Sequence, residues 1–436
     1  MFDIVVDIHV NMWYNVHIEN KTFTRMFRVE KRLFDMKRFA AMLLVAAMTV
    51  ACLFAFAGCG NGDGKKTDKG SPEGSATGVA SGTFKLGAIG PLTGDAAIYG
   101  TAVMNGAQIA VDEINAKNGD VKFEFKSADD VSDAETSTNA YNSLLDWGMQ
   151  ILVGPVTTGP AIAVSSLVYS DRVFALTPSA SSTDVISGKD NMFQVCFTDP
   201  NQGVGAADYM SEKMSGAKVA VIYRNDDAYS QGIRDTFVKE AVAKGIEVVY
   251  QGTFNKDTST DFSVQLTASR QAGADTIFLP IYYQPASVIL KQAKDMGYEP
   301  TFFGVDGMDG ILTLKGFDKS LAEGVMLLTP FAADSTDELT QNFVKTYNEK
   351  YGQTPNQFAA DAYDAVYTIY EAIAKAGCTS DMSNEEICDA IVAAMPTITV
   401  NGLTGQGMTW KSTGEVSKAP KAVVIKNGAY VLPENQ

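Results

Sequence analysis

The chain has 436 residues, with 51 acidic and 35 basic side chains and a formal net charge of −16. So large an excess of negative charge repels the phosphates of nucleic acids and the headgroups of anionic membranes, so neither is expected as a partner. The five cysteines form no Cys-x-x-Cys pair, which argues against a zinc ribbon or a dithiol redox centre.

An uncharged apolar run over residues 39–58 follows the basic pair Lys37-Arg38 and is followed by Cys59. A basic start, an apolar core and small residues before a cleavage point are typical of a secretory signal. The ending Phe-Ala-Gly-Cys resembles a lipobox, in which the cysteine is lipidated and becomes N-terminal. The sequence therefore predicts a lipoprotein signal peptide and a lipid anchor on Cys59. The alternative is a single membrane-spanning helix, because about 20 apolar residues can cross a bilayer.

We expect residues 1–58 to be absent from the mature protein, because they comprise a spurious upstream segment before Met36 and then the signal peptide. Residues 59–82 are rich in glycine, serine and lysine, which is the composition of a flexible tether. Both histidines, His9 and His17, precede the tether. The mature chain therefore lacks the residue on which Ser-His-Asp catalysis and many metal sites depend, and we expect no enzyme, metal or cofactor.

Three cysteines remain in the mature chain beyond the lipidated one. Cys196 lies in the strand-like run MFQVCFT, where we expect a buried thiol. Cys378 and Cys388 stand ten residues apart, and an exported protein can form a disulfide between such a pair. The sequence leaves a disulfide and two free thiols as equal alternatives.

From residue 83 onward, strand-like runs alternate with amphipathic helices. The predicted strands up to residue 199 are TFKLGAIGP, VKFEFKSAD, QILVGP, RVFALTPS and NMFQVCFT. The alternation begins again after residue 200 with KVAVIYRN, IEVVYQGTF, DTIFLPIYY, TFFGVD and GVMLLTP. Strands that alternate with helices at this spacing predict βαβ units with right-handed crossovers and parallel sheets.

The pattern changes in the C-terminal part of the chain. Long helices are predicted over 334–351 and 356–377. A third helix begins at Ser383, and Glu386 three residues later completes a capping box. An Asn-Gly pair near the C terminus predicts a tight hairpin between two short strands.

About 350 residues exceed what one hydrophobic core usually holds, so we predict an α/β fold with two doubly wound, Rossmann-like lobes. Lobe 1 is expected to comprise residues 83–199 with 331–396. Lobe 2 is expected to comprise residues 200–330 with 397–436. The chain then crosses three times between the lobes, and these crossings form the predicted hinge.

Polar groups follow the strands of predicted lobe 1 at their carboxyl ends, where doubly wound sheets bind ligands. Tyr99 follows the first strand, Thr157 and Thr158 follow the third, and Ser179 and Ser181 follow the fourth. Thr158 also stands at a helix start, where unpaired N–H groups and partial positive charge favour an anion. Hydroxyls and helix N–H groups together suit a carboxylate. The plainer alternative is that Thr158 only caps its helix.

Predicted lobe 2 offers different chemistry at its strand ends. Tyr229 follows the strand KVAVIYRN, Tyr282 and Tyr283 follow TIFLP, and Asp306 follows TFFG. Phenol rings and a carboxylate suit an ammonium group through charge pairing and cation–π contact. A small zwitterion, an α-amino acid, therefore satisfies both lobes. Taken singly, such tyrosines are often half-buried core residues and such an aspartate a turn residue, so the prediction depends on the whole set.

The segment IGPLTGDAAIYGTAVMNGAQIAVDEINAKNG resembles the opening of type I periplasmic binding proteins of the leucine/isoleucine/valine-binding family. GPVTTG, TPSASS, NDDAYSQG and FGVDG resemble later landmarks of that family in the same order, and the resemblance spans residues 83–435. It implies an extracytoplasmic receptor of an ABC importer, whose two lobes close like a Venus flytrap on an amino acid. Permease subunits are the implied partners, and we expect a monomer.

The resemblance also implies roles for the residues at the strand ends. By motif position, the ligand carboxylate is held by Thr158, Ser179 and Ser181, and the ligand ammonium lies near Tyr229 and Asp306. Family members commonly carry glutamate where this chain has Asp306. The family's frequent disulfide in the first lobe has no counterpart here, because the cysteines are absent.

The implied side-chain pocket is lined by Tyr99 together with Tyr283 or Tyr282, and we expect a branched-chain or other aliphatic ligand. The first alternative is a receptor of the same fold for an aromatic acid, an amide or a urea-like solute. The second is an enzyme that uses Asp306 or Asp309 as a general base. The third is a structural surface lipoprotein without a ligand.

Overall fold

A computed structural model describes residues 79–117 and 119–433. The first sheet is wholly parallel and has five strands in the order β2-β1-β3-β4-β5. Its strands are β1 (Gly82–Gly90), β2 (Val121–Asp129), β3 (Ile151–Val153), β4 (Phe174–Thr177) and β5 (Met192–Gln194). β3, β4 and β5 are buried throughout, because helices cover both faces of a parallel sheet.

The second sheet has seven strands in the order β12-β11-β10-β9-β8-β6-β7. They are β6 (Lys218–Arg224), β7 (Glu247–Phe254), β8 (Thr276–Leu279), β9 (Thr301–Gly304), β10 (Met326–Thr329), β11 (Lys421–Lys426) and β12 (Ala429–Val431). β6 to β10 pair in parallel, whereas β11 and β12 are antiparallel additions at one edge. Asn427 and Gly428 form the predicted hairpin turn, both with positive φ.

Ten longer helices connect and cover the strands in the described part of the chain. They are α1 (Ala97–Ala116), α2 (Ala134–Trp147), α3 (Thr158–Ser170), α4 (Asp199–Lys213), α5 (Ala228–Lys244), α6 (Ser263–Gln271), α7 (Tyr283–Asp295), α8 (Glu338–Tyr351), α9 (Gln357–Ala376) and α10 (Asn384–Ala394). α1 to α3 and α8 to α10 pack on the side of the first sheet, and α4 to α7 pack on the side of the second.

Local chemistry fixes where the C-terminal helices begin. Ser383 and Glu386 form the predicted capping box at the start of α10. The helix predicted from residue 334 begins instead at Glu338, because the side chain of Asp337 accepts a hydrogen bond from a backbone N–H of the first turn. The predicted start was therefore wrong by about one helical turn.

The cysteines are free thiols in the described structure. Cys196 is buried, as expected, although it lies beyond the end of β5 rather than within a strand. Cys378 and Cys388 are also buried and free, so no disulfide joins them. Of the two alternatives that the sequence leaves open, the structure has the two free thiols.

The described chain crosses between the sheets three times: between β5 and β6, after β10, and between α10 and β11. A buried ion pair ties the third crossing to α9, because Lys418 Nζ lies 2.7 Å from Asp361 Oδ1. The hydroxyl of Thr404 also contacts this lysine. The predicted two-lobed α/β architecture with three crossings is confirmed.

The strand order reverses at an equivalent place in each sheet. β2 and β3 flank β1 in the first sheet, and β7 and β8 flank β6 in the second. The connections that leave the carboxyl ends of these central strands diverge to opposite faces, which opens a crevice that ligands commonly occupy. The predicted site residues lie in the segments that follow the carboxyl ends of the strands, where these crevices open.

Within the described residues, no helix has the length and apolar character that crossing a bilayer requires. The predicted upstream segment and signal peptide at residues 1–58, the Cys59 lipidation site and most of the tether at 59–82 lie outside the described residues.

Candidate functional site

A small cavity lies where loops from the carboxyl ends of both sheets meet. The first sheet contributes residues that follow β1, β3 and β4, and the second contributes residues that follow β6, β8 and β9. The lining residues are Tyr99, Val156, Thr157, Thr158, Ser179, Tyr229, Tyr282, Asp306, Gly307 and Phe358. Its position matches the place where doubly wound sheets bind small molecules.

The wall from the first sheet is built around the start of α3. Thr158 is the first residue of this helix, and Thr157 precedes it with extended backbone angles. Neither hydroxyl caps the helix, so the plainer interpretation of Thr158 as a simple cap was wrong. Within the described chain, Thr158 Oγ1 forms no hydrogen bond. The first N–H groups of α3 and the Thr158 hydroxyl are therefore available to an anion.

The wall from the second sheet is built around Asp306, which begins a short 3₁₀ helix after β9. Asp306 Oδ1 accepts a hydrogen bond from the Tyr229 hydroxyl at 2.5 Å, and the Asp306 N–H donates to Gln202 Oε1 at 3.1 Å. The Gly307 N–H donates to the same tyrosine oxygen at 3.0 Å. A Cβ at Gly307 would lie 2.6 Å from that oxygen, so glycine is required for this close approach.

The electrostatics of the second wall favour a cation. Burial raises the pKa of Asp306 from 3.8 to about 6, although hydrogen bonds from Tyr229 and Gln202 oppose the shift. The carboxyl group is therefore mainly ionised at pH 7. Burial raises the pKa of Tyr229 and Tyr282 well above 10, so both phenols stay protonated. No lysine or arginine lines the cavity among the described residues, so its charge is negative.

Tyr99 connects the two walls. Its hydroxyl donates to the carbonyl oxygen of Gly307 and accepts from the N–H of Tyr283 at 3.2 Å. The Tyr99 ring packs against Phe358, with centroids 4.5 Å apart, and against Tyr282 at 5.5 Å. These rings form an aromatic surface that suits an apolar ligand group.

Seven of the nine predicted site residues line the cavity, namely Tyr99, Thr157, Thr158, Ser179, Tyr229, Tyr282 and Asp306. The other two lie in the surrounding shell. The Ser181 hydroxyl donates to Asp199 Oδ1 at 2.7 Å, and the Tyr283 hydroxyl donates to the carbonyl oxygen of Asp95 at 2.5 Å. Both hydroxyls are therefore engaged away from the cavity.

Three lining residues were missed by sequence reasoning. Val156 and Gly307 adjoin predicted residues, but an apolar side chain and a glycine carry no chemical signal of their own. Phe358 belongs to the first turn of α9, which returns from the C-terminal part of the chain. No local sequence signal marks Phe358; its neighbour Gln357 contacts the second wall through Nε2, which donates to the carbonyl oxygen of Asp306 at 2.9 Å.

The two walls together offer partners for both ends of a small dipolar molecule. One wall offers hydrogen-bond donors and a helix start, and the other offers a carboxylate with phenols. Among the described residues, no group of three His, Cys, Asp or Glu side chains is placed to hold a metal ion.

A larger groove lies on the surface of the second lobe, between α7 and residues 314–321. It is open to solvent, and it shares no lining residue with the cavity between the sheets. Two of its lysines are in ion pairs, Lys291 with Asp295 at 2.6 Å and Lys294 with Glu299 at 3.1 Å. The cavity between the sheets is the better candidate, because it gathers hydroxyls, phenols and a carboxylate from both sheets.

Two α/β lobes with one cavity between their strand ends, and walls of complementary polarity, define a bilobal solute-binding protein. The chain belongs to the periplasmic binding protein family, whose pattern matches residues 83–429. The family resemblance read from the sequence is thereby confirmed.

Two relatives show how similar the chain is to named proteins. It is 31% identical over 339 residues to Leu/Ile/Val-binding protein homolog 3 of Brucella melitensis, covering 76% of this chain and 88% of that protein. It is 26% identical over 319 residues to the leucine-, isoleucine-, valine-, threonine- and alanine-binding protein of Pseudomonas aeruginosa, covering 72% of this chain and 83% of that protein.

Two solved structures share the fold over most of the chain. The branched-chain amino acid transporter substrate-binding protein LivJ from Streptococcus pneumoniae, in complex with isoleucine, is 29% identical with a TM-score of 0.72. The leucine-binding protein LivK from Thermotoga maritima is 26% identical with a TM-score of 0.71. Each comparison covers 81% of this chain and 100% of the other.

Proposed function

We propose that this protein is the extracytoplasmic substrate-binding component of an ABC importer for small amino acids, with branched-chain or other aliphatic side chains favoured. The observation that carries the proposal is that Thr158 and Asp306, from different sheets, line one cavity. Relatives named for binding Leu, Ile and Val, and a structural neighbour in complex with isoleucine, support the same ligand class.

In the proposed complex, each end of the zwitterion meets the wall of opposite charge. The α-carboxylate accepts from the Thr158 hydroxyl and from N–H groups at the start of α3. The α-ammonium lies against the Asp306 carboxylate and the Tyr229 phenol, in a site where charge-assisted hydrogen bonds are strong. The aliphatic side chain packs on the rings of Tyr99 and Phe358.

We further propose that the lobes close on the ligand about the three crossings. Lobe 1 is residues 83–199 with 331–396, and lobe 2 is residues 200–330 with 397–436. Packing of α8 and α9 on α1 and of α10 on β4, and pairing of β11 with β10, support this division. A ligand that contacts both walls stabilises the closed arrangement relative to the open one, which shifts the population toward it.

We propose that the receptor is a monomer tethered to the outer face of the cell membrane by lipid on Cys59, and that it delivers its ligand to permease subunits. The signal-like run before this cysteine and the Gly/Ser/Lys-rich segment after it support an anchor and a flexible tether. Membership of the periplasmic binding protein family supports an extracytoplasmic location.

We propose a receptor rather than an enzyme. The chain from residue 59 onward contains no histidine, so the usual proton-transfer residue at neutral pH is missing. The family is one of binding proteins, which supports the same interpretation.

A ligand screen by thermal melting tests the proposal. Leucine, isoleucine, valine and alanine are compared with ketoisocaproate, benzoate and urea. We expect the aliphatic amino acids to raise the melting temperature, since a ligand at 100 times its Kd stabilises the folded state by about 2.7 kcal/mol. A shift produced by the keto acid, benzoate or urea, with none from the amino acids, would contradict the proposal.

A further inference from the structure

The loop that follows β2 has an unusual backbone beside the cavity. Val131 and Ser132 have φ angles of 46° and 59°, in the left-handed region, although neither residue is glycine. Val131 is also 43% exposed, so burial of its side chain does not explain the conformation. Such backbone is unfavourable for a β-branched residue and persists only where surrounding contacts hold it.

Two aspartates hold this loop. Asp129 Oδ1 accepts a hydrogen bond from the N–H of Val131 at 2.9 Å, and Asp130 Oδ1 accepts one from the N–H of Ser132 at 2.9 Å. Asp130 is fully buried, so its bond is shielded from water. The outcome of these contacts is that Ser132 Oγ lies 2.9 Å from Thr157 Oγ1, and Thr157 lines the cavity.

Thr157 stands where a threonine normally caps the helix that follows. A capping hydroxyl accepts from the second or third N–H of the helix. In α3 the third residue is Pro160, which has no N–H, so Gly159 supplies the available donor. The Thr157 hydroxyl does not accept from it and faces Ser132 instead. The first N–H groups of α3 are consequently left free of a side-chain cap.

We propose that Ser132 is a positioning residue for the carboxylate-binding wall. In this assignment the Ser132 hydroxyl is the donor and Thr157 Oγ1 the acceptor of their 2.9 Å hydrogen bond. The bond keeps that oxygen away from the Gly159 N–H and leaves the Thr157 proton for the cavity. Both the helix start and the Thr157 hydroxyl then serve the ligand carboxylate. The inference rests on the proposed function, because it requires a ligand carboxylate at this wall. It gives the left-handed loop, which Asp129 and Asp130 hold, a role in ligand binding.

Calorimetry with L-leucine on the Ser132→Gly variant tests this role. Glycine adopts φ near 59° without strain, so the unliganded variant should melt no lower than the wild type. Without the Ser132 hydroxyl, Thr157 is free to cap Gly159, and we expect L-leucine to bind about tenfold more weakly, since the lost bond serves a charged group. A purely structural role would move stability and affinity in the same direction.

A double-mutant cycle separates action through Thr157 from any other effect. In a Thr157→Val background, Ser132→Gly should leave the affinity for L-leucine unchanged within about twofold. Thr138→Ala is the matched control, because this hydroxyl bonds a backbone carbonyl within α2 and does not line the cavity; its affinity should equal that of the wild type.

The inference is overturned if Ser132→Gly binds L-leucine as tightly as the wild type, or if its effect is additive with Thr157→Val. It is also overturned if weaker binding is accompanied by a lower melting temperature of the unliganded variant. A wild-type protein that binds no amino acid contradicts the proposed function instead, so the two failures are distinguishable.

Discussion

The two walls of the cavity present opposite polarity and are built by different means. The first wall combines threonine and serine hydroxyls with main-chain N–H groups at the start of α3, which any residue except proline would supply. The second wall consists of side chains: the carboxylate of Asp306 and the phenols of Tyr229 and Tyr282. Point substitutions should therefore weaken ligand binding unequally at the two walls, since the second wall depends on a single charge and the first shares its role among several donors.

The largest expected effect is at the charged wall. Asp306→Asn keeps the shape and removes the charge that pairs with the ammonium, so we expect amino-acid binding to weaken by at least about 100-fold in calorimetry. Asp309→Asn is the matched control, since Asp309 is a buried acid whose Oδ2 accepts from the Gln357 N–H at 3.0 Å and does not line the cavity. Equal losses in the two variants would refute the distinct role of Asp306.

The pH dependence of binding sharpens the same contrast. Asp306 has a pKa of about 6 in the folded protein and must be ionised to pair with the ammonium. Affinity should therefore fall as pH decreases below about 6, by up to about tenfold per pH unit. The donors of the first wall do not titrate in this range. Affinity that stays constant between about pH 7 and about pH 5 would contradict the assignment.

The stability of the unliganded protein should have the opposite slope. Asp306 and Asp309 have folded-state pKa values raised from 3.8 to about 6, so between these values the folded state binds more protons than the unfolded state. Their contribution to the free energy of unfolding therefore decreases as pH rises from about 4 to about 6. Urea unfolding of the wild type and of Asp306→Asn at about pH 4 and about pH 6 measures this change in the free energy of unfolding. The variant should show the shallower dependence.

A smaller effect is expected at the first wall. Thr158→Val removes one hydroxyl donor but leaves the helix start intact, so we expect roughly tenfold weaker binding. Ser181→Ala is the informative partner, because the Ser181 hydroxyl donates to buried Asp199 rather than to the cavity. It should lower the melting temperature yet leave the Kd within about twofold. A larger affinity loss in Ser181→Ala than in Thr158→Val would reverse the assignment.

The smallest effect is expected where the walls touch. Tyr99→Phe keeps the ring packing against Phe358 and removes the hydroxyl that contacts Gly307 and Tyr283. Because this contact joins the two walls, its loss should weaken binding by about threefold, which is within the range for one neutral hydrogen bond. Calorimetry on this variant measures it, and a loss above about 30-fold would show that the hydroxyl contacts the ligand itself.

Much of the fold follows from the sequence because its signals are local. Strand-like runs that alternate with helices predict the parallel sheets, and the Ser383 and Glu386 capping box marks the start of α10 correctly. The start of α8 was misplaced because Asp337 competes successfully with the upstream residues as a cap. Whether Cys378 and Cys388 are bonded depends on tertiary geometry, which spacing along the chain does not determine.

The sequence predicts a site residue only where a polar side chain follows the carboxyl end of a recognisable strand. Asp306 and Thr158 follow strands directly, so topology brings them to one crevice. Ser181 and Tyr283 follow strands as well, yet their hydroxyls turn toward Asp199 and Asp95, and the direction of a loop side chain has no sequence periodicity. Phe358 reaches the cavity from a distant helix, through packing that no local pattern reports.

We propose that the two walls hold opposite ends of one zwitterion. Calorimetry of the wild-type protein with L-leucine, isocaproate and isoamylamine tests it directly, because isocaproate lacks the ammonium group and isoamylamine lacks the carboxylate. We predict that L-leucine binds and that each truncated compound binds at least about 100-fold more weakly, since each leaves one charged or helix-start partner unpaired. Comparable affinity for either truncated compound would contradict the account.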